Sequence, residues 1–220
     1  MTKHNVAELA EALNAANPAV DEDGRRLAFC IYEALAEGEP VTADDLARRA
    51  GADAAWVRKT LDGWTGVFFD DDGRIVGFWG LALPEMDHRF EIDGKTLYTW
   101  CAWDPLFLAP LLGIEARVTS VCPVTGATVT LRVGPEGIAD ADPPDAVLSF
   151  LRPTPDMGDN AINSFCHFVR LFASRDAAEA WIADHPGTFV LDLDDAFELA
   201  NATFGRLKGE RATPEGEHPL

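Results

Sequence analysis

In the first third of the chain, apolar residues recur with the period of an α-helix. Leu27, Ile31 and Leu35 are spaced four residues apart, which predicts a helix with one apolar face and one polar face. A shorter segment of the same kind begins after Thr42, a common helix cap, and stops at Gly51. The helices predicted in this third span residues 25–38, 42–51 and 53–64.

A hairpin follows these helices. Residues 66–80 place two apolar runs on either side of Asp72-Gly73, a pair that favours a tight turn between two strands. Three helices followed by a hairpin are the element order of a winged helix-turn-helix. The sequence therefore predicts a winged-helix-like domain over residues 1–80, in which residues 1–20 form a peripheral helix or a loose arm.

Beyond residue 80 the pattern is mainly that of strands. Turn residues stand at Asp93-Gly94 and between Pro123 and Gly126. The predicted strands and hairpins span residues 88–100, 116–133, 146–152, 168–174 and 188–193, and the predicted helices span residues 176–187, opened by an Asp-x-x-Glu capping box, and 194–207.

These elements predict an α+β fold. A winged-helix-like helical domain comes first, and an α+β domain with a small mixed or antiparallel sheet follows over residues 81–208. The last segment, residues 209–220, is polar and rich in Pro and Gly, which predicts a disordered tail.

Composition narrows the range of partners. Of the 220 residues, 47% are hydrophobic and 25% charged, which is typical of a globular protein, and the formal net charge is −19. Such a surface repels nucleic acid phosphates and anionic membranes, so we expect neither as a partner. No apolar run has membrane-spanning length, and the first twenty residues lack the features of a signal peptide. We therefore expect a cytoplasmic protein with reduced thiols.

The chain has four cysteines: Cys30, Cys101, Cys122 and Cys166. None forms a C-x-x-C pair, and none stands at zinc-finger spacing from a histidine, so we expect no structural zinc site. Cys30 lies on the apolar side of a predicted helix and Cys122 at a turn, and we interpret both as packing residues. For Cys101 and Cys166, taken singly, a core position and a functional role remain equally open.

The stretch YTWCAWDPLFLAP, residues 98–110, breaks the local rules for a helix. Asp104 before Pro105 is typical of a helix N-cap and first turn, which needs no chemistry, while Pro110 predicts a break in that helix. A thiol at Cys101 and a carboxyl three residues later, beside two tryptophans, instead indicate a site. The sequence has no P-loop, dinucleotide-binding fingerprint, zinc-protease motif or nucleophile elbow.

Three segments resemble one known family. EIDGKTLYTWCAWDPLFLAPLLG, ARVTSVCPVTGATVTL and SFCHFVRLFAS are similar to the organomercurial lyases, also called alkylmercury lyases. The resemblance extends over about residues 25–205. It implies a winged-helix-like domain, a catalytic α+β domain over residues 81–208, and protonolysis of a carbon–mercury bond.

The resemblance also implies the site. By position in the motifs, Cys101, Asp104 and Cys166 are the catalytic residues and also the mercury ligands, with the two cysteines as the catalytic thiols and Asp104 as the catalytic acid. Cys122 matches a cysteine regarded as structural. His167 stands where some members carry a further cysteine. The residues assigned to the substrate pocket are Trp100, Trp103, Phe165 and His167.

The resemblance implies no cofactor, since mercury is substrate and product. The expected partners are organomercurials, the cellular thiols whose excess releases the product, and a mercuric reductase.

The chemistry suits this set of side chains. Soft thiolates are the preferred ligands of a soft metal such as mercury. A thiol ordinarily has a pKa near 8.5 and a carboxyl one near 4, so Asp104 would receive a proton only from a metal-bound thiol. Burial would raise the pKa of Asp104 and N-capping would lower it, and the sequence leaves the balance open.

Two other functions stay open on the sequence. One is a non-catalytic Cys-Cys-Asp protein that binds or carries a metal. The other is a winged-helix metal sensor, although the predicted recognition helix carries only Arg58 and Lys59 as cations, beside Asp53 and Asp62.

Overall fold

The computed structural model describes residues 5–16, 20–154 and 164–207, and the tail predicted as disordered lies outside them. The helices are α1 (Val6–Ala16), α2 (Glu22–Ala36), α3 (Ala43–Ala50), α4 (Ala54–Gly63), α5 (Asp104–Leu112), α6 (Arg175–Ile182) and α7 (Leu193–Phe204), with 3-10 turns at Cys166–Phe168 and Gly205–Leu207. The strands are β1 (Val67–Phe69), β2 (Ile75–Phe78), β3 (Leu81–Ala82), β4 (His88–Ile92), β5 (Lys95–Thr99), β6 (Ala116–Val121), β7 (Thr128–Gly134), β8 (Gly137–Asp142), β9 (Val147–Leu151), β10 (Leu171–Phe172) and β11 (Thr188–Asp192).

The three helices and the hairpin predicted for the N-terminal part are confirmed as α2, α3, α4 and β1–β2. A capping box between Thr42 and Asp45 opens α3, and Gly51, with φ of +61°, ends it. The arm in front of them contains α1, whose Leu9 and Leu13 are buried and which packs against α7. The N-terminal part is therefore anchored to α7.

The α+β class is confirmed, and the described strands pair antiparallel throughout. Eight of them form one sheet in the order β1-β2-β3-β5-β4-β6-β7-β8, and β10-β9-β11 form a second. The predicted turn at Asp93 and Gly94 joins β4 to β5, and the φ values of these residues, 47° and 76°, suit a type I′ turn. The wing and the later strands thus share one sheet, so a side chain after β5 can meet the N-terminal part.

Helix α5 lies in the core between the large sheet and α7. The break predicted at Pro110 is wrong, because α5 continues to Leu112 and ends at Gly113, with φ of +70°. Every residue of α5 before Leu112 is buried. A proline in a helix interior costs about 3 kcal/mol or more, because its N–H is missing and its ring clashes with the preceding turn. The free energy gained by burying this apolar helix outweighs that cost.

Two other local expectations need correction. The strand predicted over residues 168–174 is present but shorter, as β10, which pairs with β9. Just before β10, the Ser149 hydroxyl on β9 donates to the carbonyl of Phe168 and accepts from the N–H of Arg170. Helix α6 is capped by Ser174, which accepts from the N–H of Ala177, and not by the Asp-x-x-Glu box. Strands β3 and β8 were not expected from the pattern.

In the part of the chain that the structure describes, no helix is both long enough and apolar enough to cross a bilayer.

Candidate active site

Three separate elements bring two thiols and a carboxyl together. Cys101 follows β5, Asp104 is the first residue of α5, and Cys166 opens a 3-10 turn. Their sulfur and carboxylate ligand atoms all lie within 4.8 Å of one another. The three residues are 0%, 6% and 6% exposed, so the group is almost closed to water. Each cysteine is thus both a core residue and a member of this group.

The loop between β5 and α5 turns the carboxyl towards the thiols. The backbone N–H of Cys101 donates to Oδ2 of Asp104 at 2.7 Å, and the Thr99 hydroxyl donates to the carbonyl of Cys101 at 3.0 Å. Asp104 does not cap α5, since the N-cap position is Trp103 and no side chain bonds there. The capping interpretation of Asp104 is therefore wrong, and its carboxylate is held by the loop that carries Cys101.

The turn that carries Cys166 is tied to the same loop. The N–H of Ala102 donates to the carbonyl of Val169 at 3.2 Å. On the other side of the turn, the Ser149 hydroxyl donates to the carbonyl of Phe168 at 2.7 Å. These bonds hold the second thiol against the first although 65 positions separate Cys101 and Cys166 in the sequence.

Burial controls the protonation of the group. Desolvation raises the pKa of Asp104 to about 7, although hydrogen bonds from Cys101 and the backbone of Trp100 act to lower it. Burial also raises the pKa of the Cys101 thiol, helped by its hydrogen bond with Cys166 and by the nearby Asp104. The sequence left open whether burial or N-capping has the larger effect on the pKa of Asp104, and burial has the larger effect. At neutral pH the group holds a protonated Cys101 beside a carboxyl that can both accept and release a proton.

The aromatic residues assigned to a pocket lie in different surroundings. Trp100 is half-buried, with its ring edge-on to Phe68 at 5.2 Å between centroids. Trp103 is buried, donates its Nε1–H to the Ala196 carbonyl at 2.8 Å, and packs against the buried Phe165. His167 is exposed, with its ring edge-on to that of Phe168. Trp103 and Phe165 thus belong to the core around the site, and His167 faces solvent.

The other two cysteines lie outside the group of ligand atoms. Cys30 is only half-buried, and desolvation raises the pKa of its thiol. Cys122 is buried at the β6–β7 turn, where burial acts to raise the pKa of the thiol but hydrogen bonds from the Thr125 hydroxyl and from backbone N–H groups leave it lowered. Neither thiol is among the described ligand atoms that surround Asp104.

One buried histidine beside the site was not assigned a role. His88 on β4 shares a hydrogen bond between Nδ1 and the Ser120 hydroxyl at 2.7 Å, and it pairs in register with Thr99. Burial lowers its pKa to about 4, with a smaller effect from Arg170, so the imidazole is neutral at physiological pH. Among the described residues its Nε2 has no hydrogen-bond partner.

Thr99 and Gly80 also shape the site, although no sequence motif indicated either residue. Thr99 fixes the backbone of Cys101, and Gly80 lies so close to Asp104 that a Cβ at position 80 would stand 2.7 Å from Cγ of the acid. A glycine within the apolar segment FWGLAL was the available signal, since such a position often marks a close approach of the backbone.

Comparison with known families agrees with this geometry. The family model described as Alkylmercury lyase matches residues 81–205, which include all three members of the buried group. A second model, described as Helix-turn-helix domain of alkylmercury lyase, matches residues 4–79.

The chain belongs to the alkylmercury lyase family.

Curated relatives from several bacteria are similar to this lyase over most of its length. The alkylmercury lyase of Staphylococcus epidermidis is 39% identical over 186 residues, covering 84% of this chain and 82% of the relative. That of Bacillus cereus is 41% identical over 181 residues, 82% and 79% of the two chains. That of Pseudomonas putida is 38% identical over 194 residues, 88% and 89% of the two chains.

A solved structure shares the fold of this alkylmercury lyase. The crystal structure of the mercury-bound form of MerB2 superposes with a TM-score of 0.75, covering 92% of this chain and 98% of the other, at 23% sequence identity. At that identity the likeness concerns the fold alone.

Proposed function

We propose that this alkylmercury lyase cleaves the carbon–mercury bond of organomercurials by protonolysis, with Cys101, Cys166 and Asp104 as its catalytic residues. One observation carries the assignment of roles: two buried thiols and one buried carboxyl place their ligand atoms within 4.8 Å of one another. Mercury is the substrate here, and the two sulfurs are ligands that it prefers.

The first step is capture of the organomercury cation. An organomercurial bound to a small thiol exchanges that thiol for the sulfur of Cys101 and then gains the sulfur of Cys166. Coordination makes a thiol acidic, so both cysteines give up their protons although burial otherwise opposes ionisation of Cys101. One of these protons leaves with the displaced small thiol.

The other proton reaches carbon through Asp104. Its carboxylate accepts the proton from a mercury-bound thiol, and the second sulfur adds electron density at mercury and weakens the carbon–mercury bond. As this bond breaks, its electron pair takes the proton from Asp104, so the organic group leaves as a hydrocarbon. A pKa of about 7 suits a group that must accept and then release a proton at neutral pH.

The reaction leaves Hg(II) bound to two thiolates and the carboxylate regenerated. The protons balance, since two cysteines lose one each, one to the hydrocarbon and one to the displaced thiol. We propose that two further small thiols then remove the metal by exchange and restore the cysteines. The scheme needs no cofactor. A mercuric reductase is the class of enzyme that would consume the released Hg(II).

A reducing compartment suits this scheme. The four cysteines are free thiols, and the proposed exchange needs an excess of small thiols. We therefore propose that the enzyme works in the cytoplasm, where thiols remain reduced.

The alternatives predict different products. A metal-binding or trafficking protein would hold mercury at the same two sulfurs but would release no hydrocarbon. A winged-helix sensor would bind DNA, which a net charge of −19 opposes. We expect no shift of duplex DNA in a gel at low salt, where electrostatic binding is strongest. A mercury-dependent shift would support the sensor.

The activity should depend on pH through Asp104. Because its carboxylate form accepts the proton, kcat/KM should rise as the pH increases through about 7, following the raised pKa of this acid. Initial rates of hydrocarbon release between pH 5 and about 8, with thiol in excess, measure this rise in kcat/KM. A profile that is flat across neutral pH would contradict the assignment of Asp104.

The direct test of the proposed activity is gas chromatography above a solution of methylmercury, excess small thiol and enzyme. We expect methane from the wild type and none above background from Cys101→Ala. Mercury uptake without methane by the folded wild type would support the non-catalytic alternative.

A further inference from the structure

The acid of the site has a close neighbour outside the catalytic loop. Gly80, in the connection between β2 and β3, has φ of +92°, and a Cβ on it would lie 2.7 Å from Cγ and 2.8 Å from Oδ1 of Asp104. Real Cβ atoms essentially never approach other atoms so closely. The carboxyl therefore occupies the space that any side chain at position 80 would need.

The backbone of Gly80 is held in place from two directions. Its carbonyl accepts from the N–H of Trp100, one residue before Cys101, at 3.0 Å. The preceding carbonyl, that of Trp79, accepts from the hydroxyl of Tyr32 at 2.9 Å. Tyr32 lies on α2 in the winged-helix part and is fully buried. A hydrogen bond from the N-terminal part thus fixes the turn that touches the acid.

The turn also has an unusual backbone. Trp79 has φ of +24°, a region that residues other than glycine rarely adopt. Its indole Nε1–H donates to the Thr65 carbonyl at 2.5 Å, and its ring stacks on that of Phe78. Backbone in such a conformation persists only where its surroundings hold it, and such positions are concentrated at functional sites.

We propose that the Trp79–Gly80 turn, held in place by Tyr32, is a rigid backbone support that positions the carboxyl of Asp104 against the two thiols. The backbone N–H of Cys101 holds Oδ2, and the bare Cα of Gly80 bounds the carboxyl on the side of Oδ1. Gly80 and Tyr32 are positioning residues in this proposal, since neither touches mercury. The winged-helix part then completes the active site, which gives it a role without nucleic acid. The proposal rests on the proposed function.

The first test is Gly80→Ala, with Gly73→Ala as the matched control. Gly73, in the turn between β1 and β2, also has positive φ (+72°) but has no atom within 4 Å of the added Cβ. Both variants therefore carry the backbone strain of an alanine at positive φ, and only Gly80→Ala displaces Asp104. A displacement of about 1 Å in a catalytic group can cost about a hundredfold in rate.

We expect Gly80→Ala to lower kcat for methane release at least about tenfold with little change in KM, and Gly73→Ala to match the wild type. Both should bind one Hg(II) per chain, with the ultraviolet absorption of a mercury–dithiolate unchanged, because the thiols stay in place. A folded Gly80→Ala protein with the turnover of Gly73→Ala would overturn the proposal. Absence of methane from the wild type would refute the proposed function itself.

The second test removes only the hydrogen bond from Tyr32 to Trp79, which keeps the proposal testable if Gly80→Ala does not fold. Tyr32→Phe deletes the hydroxyl that bonds Trp79, and Tyr98→Phe deletes that of the other tyrosine of the chain, half-buried on β5. We expect at least about a threefold loss of kcat in Tyr32→Phe with full Hg(II) binding, and no loss in Tyr98→Phe. Equal turnover of the two variants would remove Tyr32 from the proposal.

Discussion

Asp104→Asn should slow hydrocarbon release at least about a hundredfold, the usual loss when a general acid is removed. An amide cannot accept a proton from a mercury-bound thiol and pass it to carbon at neutral pH. The variant should still bind mercury, because Cys101 and Cys166 remain. Asp104→Glu should not restore full activity, because the carboxyl fits between the N–H of Cys101 and Gly80, which leaves no room for a longer side chain.

The stability of Asp104→Asn separates catalysis from folding. Burial raises the pKa of Asp104 from 3.8 to about 7, so between these pH values the folded protein holds a proton that the unfolded chain has lost. The carboxyl thus lowers the free energy of unfolding as the pH rises through this window. Asparagine removes that effect, and we expect a melting temperature at pH 8 no lower than that of the wild type. Normal turnover of the folded variant would contradict the role of Asp104 and leave the proton donor unidentified.

Cys101→Ala and Cys166→Ala should each abolish cleavage. Mercury needs one thiolate for capture and a second to weaken the bond to carbon, and the two sulfurs belong to one buried group with Asp104. Each substitution also leaves a single thiolate for Hg(II), so the mercury–dithiolate absorption should be lost along with the gas. Single-turnover release of methane and a mercury titration measure the two effects.

Cys30→Ala is the matched control for the thiol variants. Cys30 is half-buried on α2 and lies outside the group around Asp104, so its removal should leave turnover unchanged. Retention of normal turnover by Cys166→Ala would exclude the two-thiol mechanism, whatever the result for Cys101→Ala.

Local signals predicted the parts of the fold that short segments determine. Asp93-Gly94 and Asp72-Gly73 marked hairpin turns because few residues adopt positive φ, and Thr42 marked the start of α3 because its side chain bonds the next turn. The α+β class followed from these elements. The resemblance to alkylmercury lyases supplied the grouping of Cys101, Asp104 and Cys166, which spacing alone left undecided.

Contacts between distant segments account for the features of the fold and the site that the sequence did not predict. Pro110 stands inside α5 because every residue of this helix before Leu112 is buried, which local propensity does not register. The turn at Cys166 depends on the Ser149 hydroxyl of another strand. The contact of Gly80 with Asp104 joins positions 24 residues apart in the sequence. Similarly, the pKa of the acid depends on burial by the surrounding chain, which the sequence around Asp104 did not determine.

Isotopic analysis of the released gas tests the central claim most directly. Methylmercury is incubated with the enzyme and excess small thiol in D₂O, and the methane is analysed by mass spectrometry. If a thiol proton reaches carbon through Asp104, the wild type will release singly deuterated methane, one molecule for each Hg(II) formed, and Asp104→Asn will release almost none. Intact methylmercury bound to the folded wild-type enzyme, with no methane released, would contradict the account.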